Sequence, residues 1–323
     1  MHLAKEASPS PARRLAQAVD IQQWGIIFVL IALISIMGVI SPVFLSGRNI
    51  RNILQQVSTI GILAMGSTVV MISGGIDLSI GSIVSVAAVV MGTMIKADYP
   101  PELAIVVGLL IGCGIGLFNG ILVAYTRAHP FILTLGTMTL FLGVAIIITE
   151  GFPITDLGKR FEWIGSARIW EIPVSVIVLL LVTLACHFLL RYMRLGRIAY
   201  AIGGNEYTTF LAGIPVRRYK ILFYVICGFF AGLGSVVLAS RISSAIPTMG
   251  ADYTLLAIAA VVIGGVPLEG GRGSVWGTFT GVLLLGVIAN GLNLMHVEAS
   301  WQYVLTGAII VIAVILHEQR SRK

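Results

Sequence analysis

Residues 191–220, RYMRLGRIAYAIGGNEYTTFLAGIPVRRYK, form the longest polar interruption in an otherwise very apolar chain, with six basic residues against one acid. The double glycine GG inside it predicts a chain break, and Asn205 after it is a good helix N-cap. Gly213 followed by Pro215 is a good helix stop. A short helix is therefore predicted over residues 206–212. This pattern is typical of a docking element, and a basic loop that only fixes orientation explains it equally well.

The composition around this stretch is that of a membrane protein. Of 323 residues, 57% are hydrophobic and 11% are charged, and the mean hydropathy is +0.99. A soluble domain is normally about a quarter charged. The formal net charge of +7 is better explained by orientation in a bilayer than by nucleic acid, because basic residues gather on the cytoplasmic side.

The apolar segments predict an all-α polytopic membrane protein with about ten transmembrane helices, some of them broken or re-entrant. The predicted domains are a cytoplasmic N-terminal segment (1–23), a single transmembrane domain (24–317) and a cytoplasmic tail (318–323). The eighth segment is short, and its alternative is a half-helix that enters and leaves on one side, buried by protein. The predicted spans are residues 24–40, 55–74, 78–96, 103–125, 130–149, 173–190, 221–240, 253–266, 275–294 and 303–317.

The distribution of charge predicts that both termini are cytoplasmic. With ten spans, the two terminal segments and the inner loops hold fourteen of the 21 Lys and Arg residues. The inside then carries a net charge of +8 and the outside −1. An odd number of spans after the first would destroy this asymmetry. The loop 191–220 is therefore placed in the cytoplasm.

A ridge of glycines in the fourth span predicts close helix packing. Glycines at four-residue spacing let a neighbouring backbone approach, which is how membrane helices associate when no hydrophobic effect drives them together. Packing within the chain is the first interpretation and a dimer seam is the alternative. The ridge consists of Gly108, Gly112, Gly116 and Gly120, and shorter versions occur at Gly228 with Gly232 and at Gly277 with Gly281.

Two segments resemble each other within the chain. Residues 74–82 and 264–274 each place a double glycine, an acid and a Gly-Ser pair before an apolar run. Such duplication is common in transporters, where broken helices often mark the pathway. Asp77 in the first segment is interpreted as a cap for a helix starting at Leu78, with a gate or partner contact as the alternative.

The sequence lacks the motifs of an enzyme and of an ion-coupled carrier. There is no Walker-type phosphate loop, no histidine or cysteine pair at metal-binding spacing and no nucleophile motif, so no catalytic residue and no metal site is predicted. Acids within spans, the usual mark of ion-driven carriers, are almost absent. A transporter of this kind takes its energy from another subunit, and the loop 191–220 is the candidate attachment point.

Four polar residues within or at the ends of spans are candidates for lining a translocation path. A hydroxyl-rich solute needs hydrogen-bonding partners but little charge. Each of these residues is equally well explained as a bridge between two helices. They are Asn119, Thr134, Asn290 and Asn293.

Several ordered motifs resemble the inner-membrane permease subunits of bacterial ABC importers for monosaccharides. This is the family of the ribose, xylose, arabinose and autoinducer-2 permeases, within the branched-chain amino-acid permease superfamily. The similarity covers roughly residues 25–317. The motifs are NILQQ at 52–56, GIDLSIGS at 75–82, PFILTLGT at 130–137, LGR at 195–197, AIGGNE at 201–206, LAGI at 211–214, AIAAVVIGG at 257–265 and NGLNL at 290–294.

The resemblance implies a multi-pass permease subunit of the bacterial inner membrane that is not itself an enzyme. Two such permeases pair, as a homodimer or a heterodimer. A cytoplasmic ATPase that carries the ATP and Mg²⁺ docks beneath them, and a periplasmic sugar-binding protein delivers the solute. No cofactor is expected in this chain. The implied coupling loop comprises Arg197, Gly203, Gly204, Asn205, Glu206 and Gly213.

The sequence departs from this family's pattern at Tyr207 and Thr208, where small residues are common after Asn-Glu. This departure suggests a partner ATPase with its own matching groove. Two other functions remain open at this point. One is a permease for branched-chain amino acids or nucleosides, and the other is a secondary carrier driven by protons or sodium, since broken helices also bind sodium through backbone carbonyls.

Overall fold

The computed structural model describes residues 11–298, 300, 301, 304, 305, 307, 308 and 311, with side chains from Trp24 onward. Helices dominate this part of the chain, and four strands of two residues each accompany them. The helices are α1 (Pro11–Ile40), α2 (Gly47–Ile72), α3 (Ile80–Lys96), α4 (Pro101–Tyr125), α5 (Pro130–Thr149), α6 (Lys159–Ser166), α7 (Val174–Tyr192), α8 (Arg194–Gly204), α9 (Glu206–Leu211), α10 (Val216–Ile242), α11 (Ala251–Ile263) and α12 (Val275–Leu294). The strands are β1 (Ile154–Thr155), β2 (Arg168–Ile169), β3 (Ile172–Pro173) and β4 (Ser244–Ala245).

The predicted class of a helical, polytopic membrane protein is confirmed. Six helices, α2, α4, α5, α7, α10 and α12, are long and apolar enough to cross a membrane, and Trp24–Ile40, Ile80–Lys96 and Ala251–Ile263 are shorter apolar helices. Each of these nine coincides with a predicted span. The tenth predicted span, 303–317, lies mostly outside the described residues, so the count of ten stays a prediction. Helices α6 and α8 were not predicted.

The eighth predicted span is a helix shorter than the hydrocarbon core of a bilayer. Thirteen residues of α11 extend about 20 Å at 1.5 Å per residue, against a hydrocarbon core of about 30 Å. Its start is fixed against α3: the Gly81 N–H donates to Thr254 Oγ1 (3.1 Å) and the Gly250 N–H donates to Ser85 Oγ (3.2 Å). These bonds satisfy backbone groups that lipid would leave unpaired.

The glycine ridge of α4 packs against α10. A Cβ added at Gly112 would lie on the carbonyl oxygen of Gly228, and one at Gly116 on that of Tyr224. One at Gly120 would lie 2.8 Å from Ile221 Cα. Because these neighbours are backbone atoms, the two helices can reach this separation only where side chains are missing.

The remaining glycine pairs and the short strands complete the scaffold. Gly277 and Gly281 of α12 lie against the carbonyl oxygens of Gly264 and Ala260, so α11 and α12 also meet backbone to backbone. The strands pair antiparallel, β1 with β4 and β2 with β3. They tie the segment after α5 to the end of α10 and form a hairpin before α7.

Candidate functional site: a coupling segment and the glycine junction beneath it

The short helix predicted in the basic loop is present as α9. Asn205 Oδ1 accepts the Thr208 N–H at 2.9 Å, and Gly213 adopts φ +81°, a conformation that suits glycine. The prediction of residues 206–212 is thus confirmed to within one residue. The sequence predicted a chain break at the double glycine, but α8 continues through Gly204, so the break comes just after it, at Asn205.

Helix α9 presents large apolar side chains to the surroundings. Tyr207, Phe210 and Leu211 are 69%, 63% and 65% exposed. Three such side chains on six residues, in the most basic loop of the chain, form a contiguous apolar patch rimmed by charge. Patches of this kind mark protein–protein contacts.

A cavity of about 730 Å³ opens beside α9. Its walls combine aromatic side chains with basic ones: the Arg217 guanidinium lies 5.2 Å from the centre of the Tyr125 ring, which is a cation–π distance. Glu206 forms an ion pair with Lys220, which ties the start of α9 to α10. The cavity is lined by Tyr125, Glu206, Tyr207, Phe210, Pro215, Val216, Arg217 and Arg218.

Of the six predicted coupling-loop residues, Arg197 lies on α8 and is exposed. Gly203 and Gly204 end α8, Asn205 and Glu206 start α9, and Gly213 follows its end. The first of these glycines is half-buried and the second is exposed. The side chains by which α8 packs against the protein are the buried Ile198, Ala199 and Ile202.

The end of α8 meets the end of α2 and the loop between α11 and α12 at one point. This point is called the glycine junction and is defined by Gly74, Gly203, Gly270 and Gly271. A Cβ added at Gly203 would lie on Ile72 O and on the backbone N of Gly271. The Gly271 N–H donates to Ile72 O at 2.9 Å. The two repeated segments of the sequence therefore touch each other and the end of α8 at one place.

Tyr200 adds a side-chain bond to this contact. Its hydroxyl donates to Gly273 O at 2.9 Å. Burial raises the pKa of Tyr200, an effect that the charge of Arg191 partly offsets, so the phenol stays a donor at neutral pH. The α8 helix is thereby linked to the loop between α11 and α12.

Asp77 lies three residues beyond the junction and is almost fully buried, at 3% exposure. Its Oδ1 accepts the Ser79 N–H (2.9 Å) and the Ser79 Oγ–H (2.6 Å). The helix after it begins at Ile80 and not at Leu78, because residues 73–79 are unwound. Asp77 therefore bonds the backbone just before the helix, while the choice between a cap and a gate stays a prediction.

The predicted path residues do not come together in one place. Asn119 Nδ2 donates to Ser79 Oγ (2.6 Å) and Thr134 Oγ1 donates to Ile76 O (3.2 Å) and accepts the Leu78 N–H (3.1 Å), so both hold the unwound segment. Asn290 lies elsewhere, in α12, and Asn293 is exposed. Their role in a path stays a prediction.

Sequence reasoning missed two partners. Asn49 and Asn290 form a reciprocal amide pair (2.8 and 2.9 Å) that joins α2 to α12. The Tyr224 hydroxyl donates to Ile76 O at 3.0 Å. An asparagine in the loop before the second predicted span and a tyrosine near the start of the seventh were the available signals, since buried polar groups need partners.

Comparisons with known proteins agree with this architecture. A family model described as "Branched-chain amino acid transport system / permease component" matches residues 49–314. The chain is 42% identical over 302 residues to the ribose import permease protein of Bacillus subtilis (strain 168), covering 93% of this chain and 94% of that protein.

Other relatives also match more than nine tenths of the chain. The D-allose transport system permease protein of Escherichia coli (strain K12) is 37% identical, with 93% of each chain covered. The L-arabinose ABC transporter permease protein of Azospirillum brasilense is 34% identical, with 99% of this chain and 96% of that protein covered. A comparison with solved structures finds no match.

Proposed function

The chain belongs to the family of the branched-chain amino acid transport system permease components, and on that premise we propose that it is the transmembrane subunit of a monosaccharide importer in the bacterial inner membrane. The observation that carries the proposal is the similarity, over more than nine tenths of the chain, to permeases whose names specify ribose, allose and arabinose. Such a subunit is a multi-pass transporter component and not an enzyme.

The importer takes its energy from a separate cytoplasmic ATPase that binds the ATP and Mg²⁺. Helix α9 is the docking element, because its three exposed apolar side chains have no role in the core. The glycine junction supplies the route inward: α9 follows α8 directly, and Gly203 at the end of α8 touches both broken-helix segments. Movement of α9 is thereby passed to the unwound segments before α3 and α12.

The wider assembly follows the same plan. Two permease subunits pair in the membrane, each with ten spans and both termini in the cytoplasm. A periplasmic binding protein supplies the sugar from outside. This chain needs no cofactor of its own.

The family description also names amino acids, which makes a branched-chain amino-acid permease the second candidate. Charge distinguishes the two candidate substrates, because an amino acid carries a positive and a negative charge that the path has to match. Among the described residues, Asp77 is the only buried acidic residue. We expect excess unlabelled pentose or hexose to compete with uptake by the assembled importer and excess leucine not to compete. Competition by leucine alone would select the second candidate.

The docking assignment is tested by co-purification. We expect the double variants Tyr207→Ser/Phe210→Ser and Asn205→Ala/Glu206→Ala to lose the co-purifying ATPase. The first pair removes the apolar patch, and the second removes the N-cap of α9 and its ion pair with Lys220. Loss of about 1.4 kcal/mol of interface energy weakens binding tenfold, and aromatic interface residues commonly contribute that much.

The matched control is Phe152→Ser, which removes an aromatic side chain of similar exposure (72%) between α5 and β1. It should retain the ATPase. If every variant retains the ATPase at the wild-type ratio, α9 is not the docking element. If the wild type yields no ATPase under any mild condition, the ion-coupled carrier takes the place of the importer.

A further inference from the structure

The carboxylate of Asp77 is sealed inside the protein with one oxygen unpaired. Its Oδ1 accepts two bonds from Ser79. Its Oδ2 is buried and has no hydrogen-bond partner among the described residues. A buried carboxylate that has no compensating charge is energetically unfavourable.

A second unpaired oxygen comes from α4. Asn119 is 1% exposed, and its Nδ2 donates to Ser79 Oγ at 2.6 Å, whereas its Oδ1 is buried without a partner. The Ser79 hydroxyl thus bridges the two side chains, and each side chain keeps one free acceptor oxygen. A native structure leaves few such atoms unexplained, and bound ions are one explanation.

Two hydroxyl donors that bond the unwound segment already have acceptors of their own. The Tyr224 hydroxyl donates to Ile76 O, and the Thr134 hydroxyl shares its single proton among Pro130 O (3.0 Å), Ile76 O (3.2 Å) and Phe131 O (3.4 Å). None of the ion pairs formed by the described residues involves Asp77. The positive charge that this carboxylate needs is therefore not supplied by a described side chain.

We propose that Asp77 Oδ2 and Asn119 Oδ1 bind a monovalent alkali-metal cation of the sodium class. Carboxylate and amide oxygens are hard ligands suited to such ions. One carboxylate balances one positive charge, which favours a monovalent over a divalent ion in a low-dielectric interior. The unwound residues 73–79 offer backbone carbonyls, as broken membrane helices do in sodium sites.

This ion joins α4 to the unwound segment that starts at the glycine junction. It stays bound and stabilises the fold, while ATP on the partner subunit drives import. The proposal concerns the folded permease alone, so its test does not require the importer assignment to be correct.

The test is thermal unfolding of the purified full-length permease in NaCl, KCl and choline chloride at equal ionic strength. We expect NaCl to raise the unfolding midpoint of the wild type over choline chloride. Above the dissociation constant the rise should follow the logarithm of the sodium concentration, because a ligand of the folded state stabilises by mass action. Asp77→Asn and Asn119→Leu should abolish this increment. Equilibrium dialysis with radioactive sodium should give one bound ion per wild-type chain, and this needs no variant to fold.

The matched control is Thr134→Val, which removes an α5 hydroxyl that bonds the unwound segment but neither proposed ligand. Its midpoint falls, and its sodium increment stays. An equal midpoint in all three salts with no ion in dialysis would overturn the proposal and leave an ordered water or a proton at the site. A sodium increment that persists in Asp77→Asn would overturn it as well.

Discussion

Gly203→Ala is expected to stop import, because the added methyl group has no space at the glycine junction. Its Cβ would lie on Ile72 O and on the backbone N of Gly271, and 3.1 Å from Gly271 Cα. These are backbone atoms of two other segments, so α8 must move away from both. Overpacking of this kind costs about 1–3 kcal/mol, and it displaces the helix that carries α9.

Gly204→Ala is the matched control for this prediction. A Cβ there meets nothing within 4 Å, and the residue lies in the same helix, next along the chain. We expect Gly204→Ala to transport at the wild-type rate and Gly203→Ala to lose uptake while still reaching the membrane. Equal transport by the two variants would show that the junction does not couple α9 to the spans.

Gly116→Val is expected to cause the largest loss of folded protein. Its Cβ would lie on Tyr224 O, with Val225 Cα at 3.1 Å, at the centre of the seam between α4 and α10. Separating these helices also displaces Asn119, which lies about one turn after Gly116 on α4. Because several backbone contacts are lost together, we expect a destabilisation of about 3 kcal/mol or more.

The control for the seam is Gly114→Val, two residues away on the exposed side of α4. A Cβ there meets nothing within 4 Å, and the change in intrinsic helix preference is the same. We expect its unfolding midpoint in detergent to match the wild type, since exposed substitutions usually change stability by about 0.5 kcal/mol or less. A similar loss of folded protein in both variants would contradict close packing at Gly116.

Local chemistry made part of this structure predictable. The short helix α9 follows from its own cap and stop residues, Asn205 and Gly213, and most spans follow from hydropathy. The ridge on α4 predicted a close neighbour, because glycine spacing reports what a helix face must accept. It did not say that the neighbour is α10, since many helices offer a compatible surface.

The contacts between segments that are far apart in the chain could not be predicted from the sequence. The two double-glycine segments were recognised as similar, but similarity does not place them in contact, nor does it bring Gly203 between them. The Asn49–Asn290 pair spans 241 positions, and only the packing of α12 on α2 selects it. The start of α3 was predicted two residues early, because the bonds of Thr134, Tyr224 and Ser79 that hold residues 76–79 unwound come from tertiary structure.

Uptake of a labelled sugar into proteoliposomes is the most direct test of the central proposal. The permease is reconstituted with and without its co-purified ATPase and binding protein, and either ATP or an ion gradient is supplied. We predict accumulation only when the ATPase, the binding protein and ATP are all present. Accumulation by this chain alone, driven by a sodium or proton gradient, would contradict the importer and establish a secondary carrier.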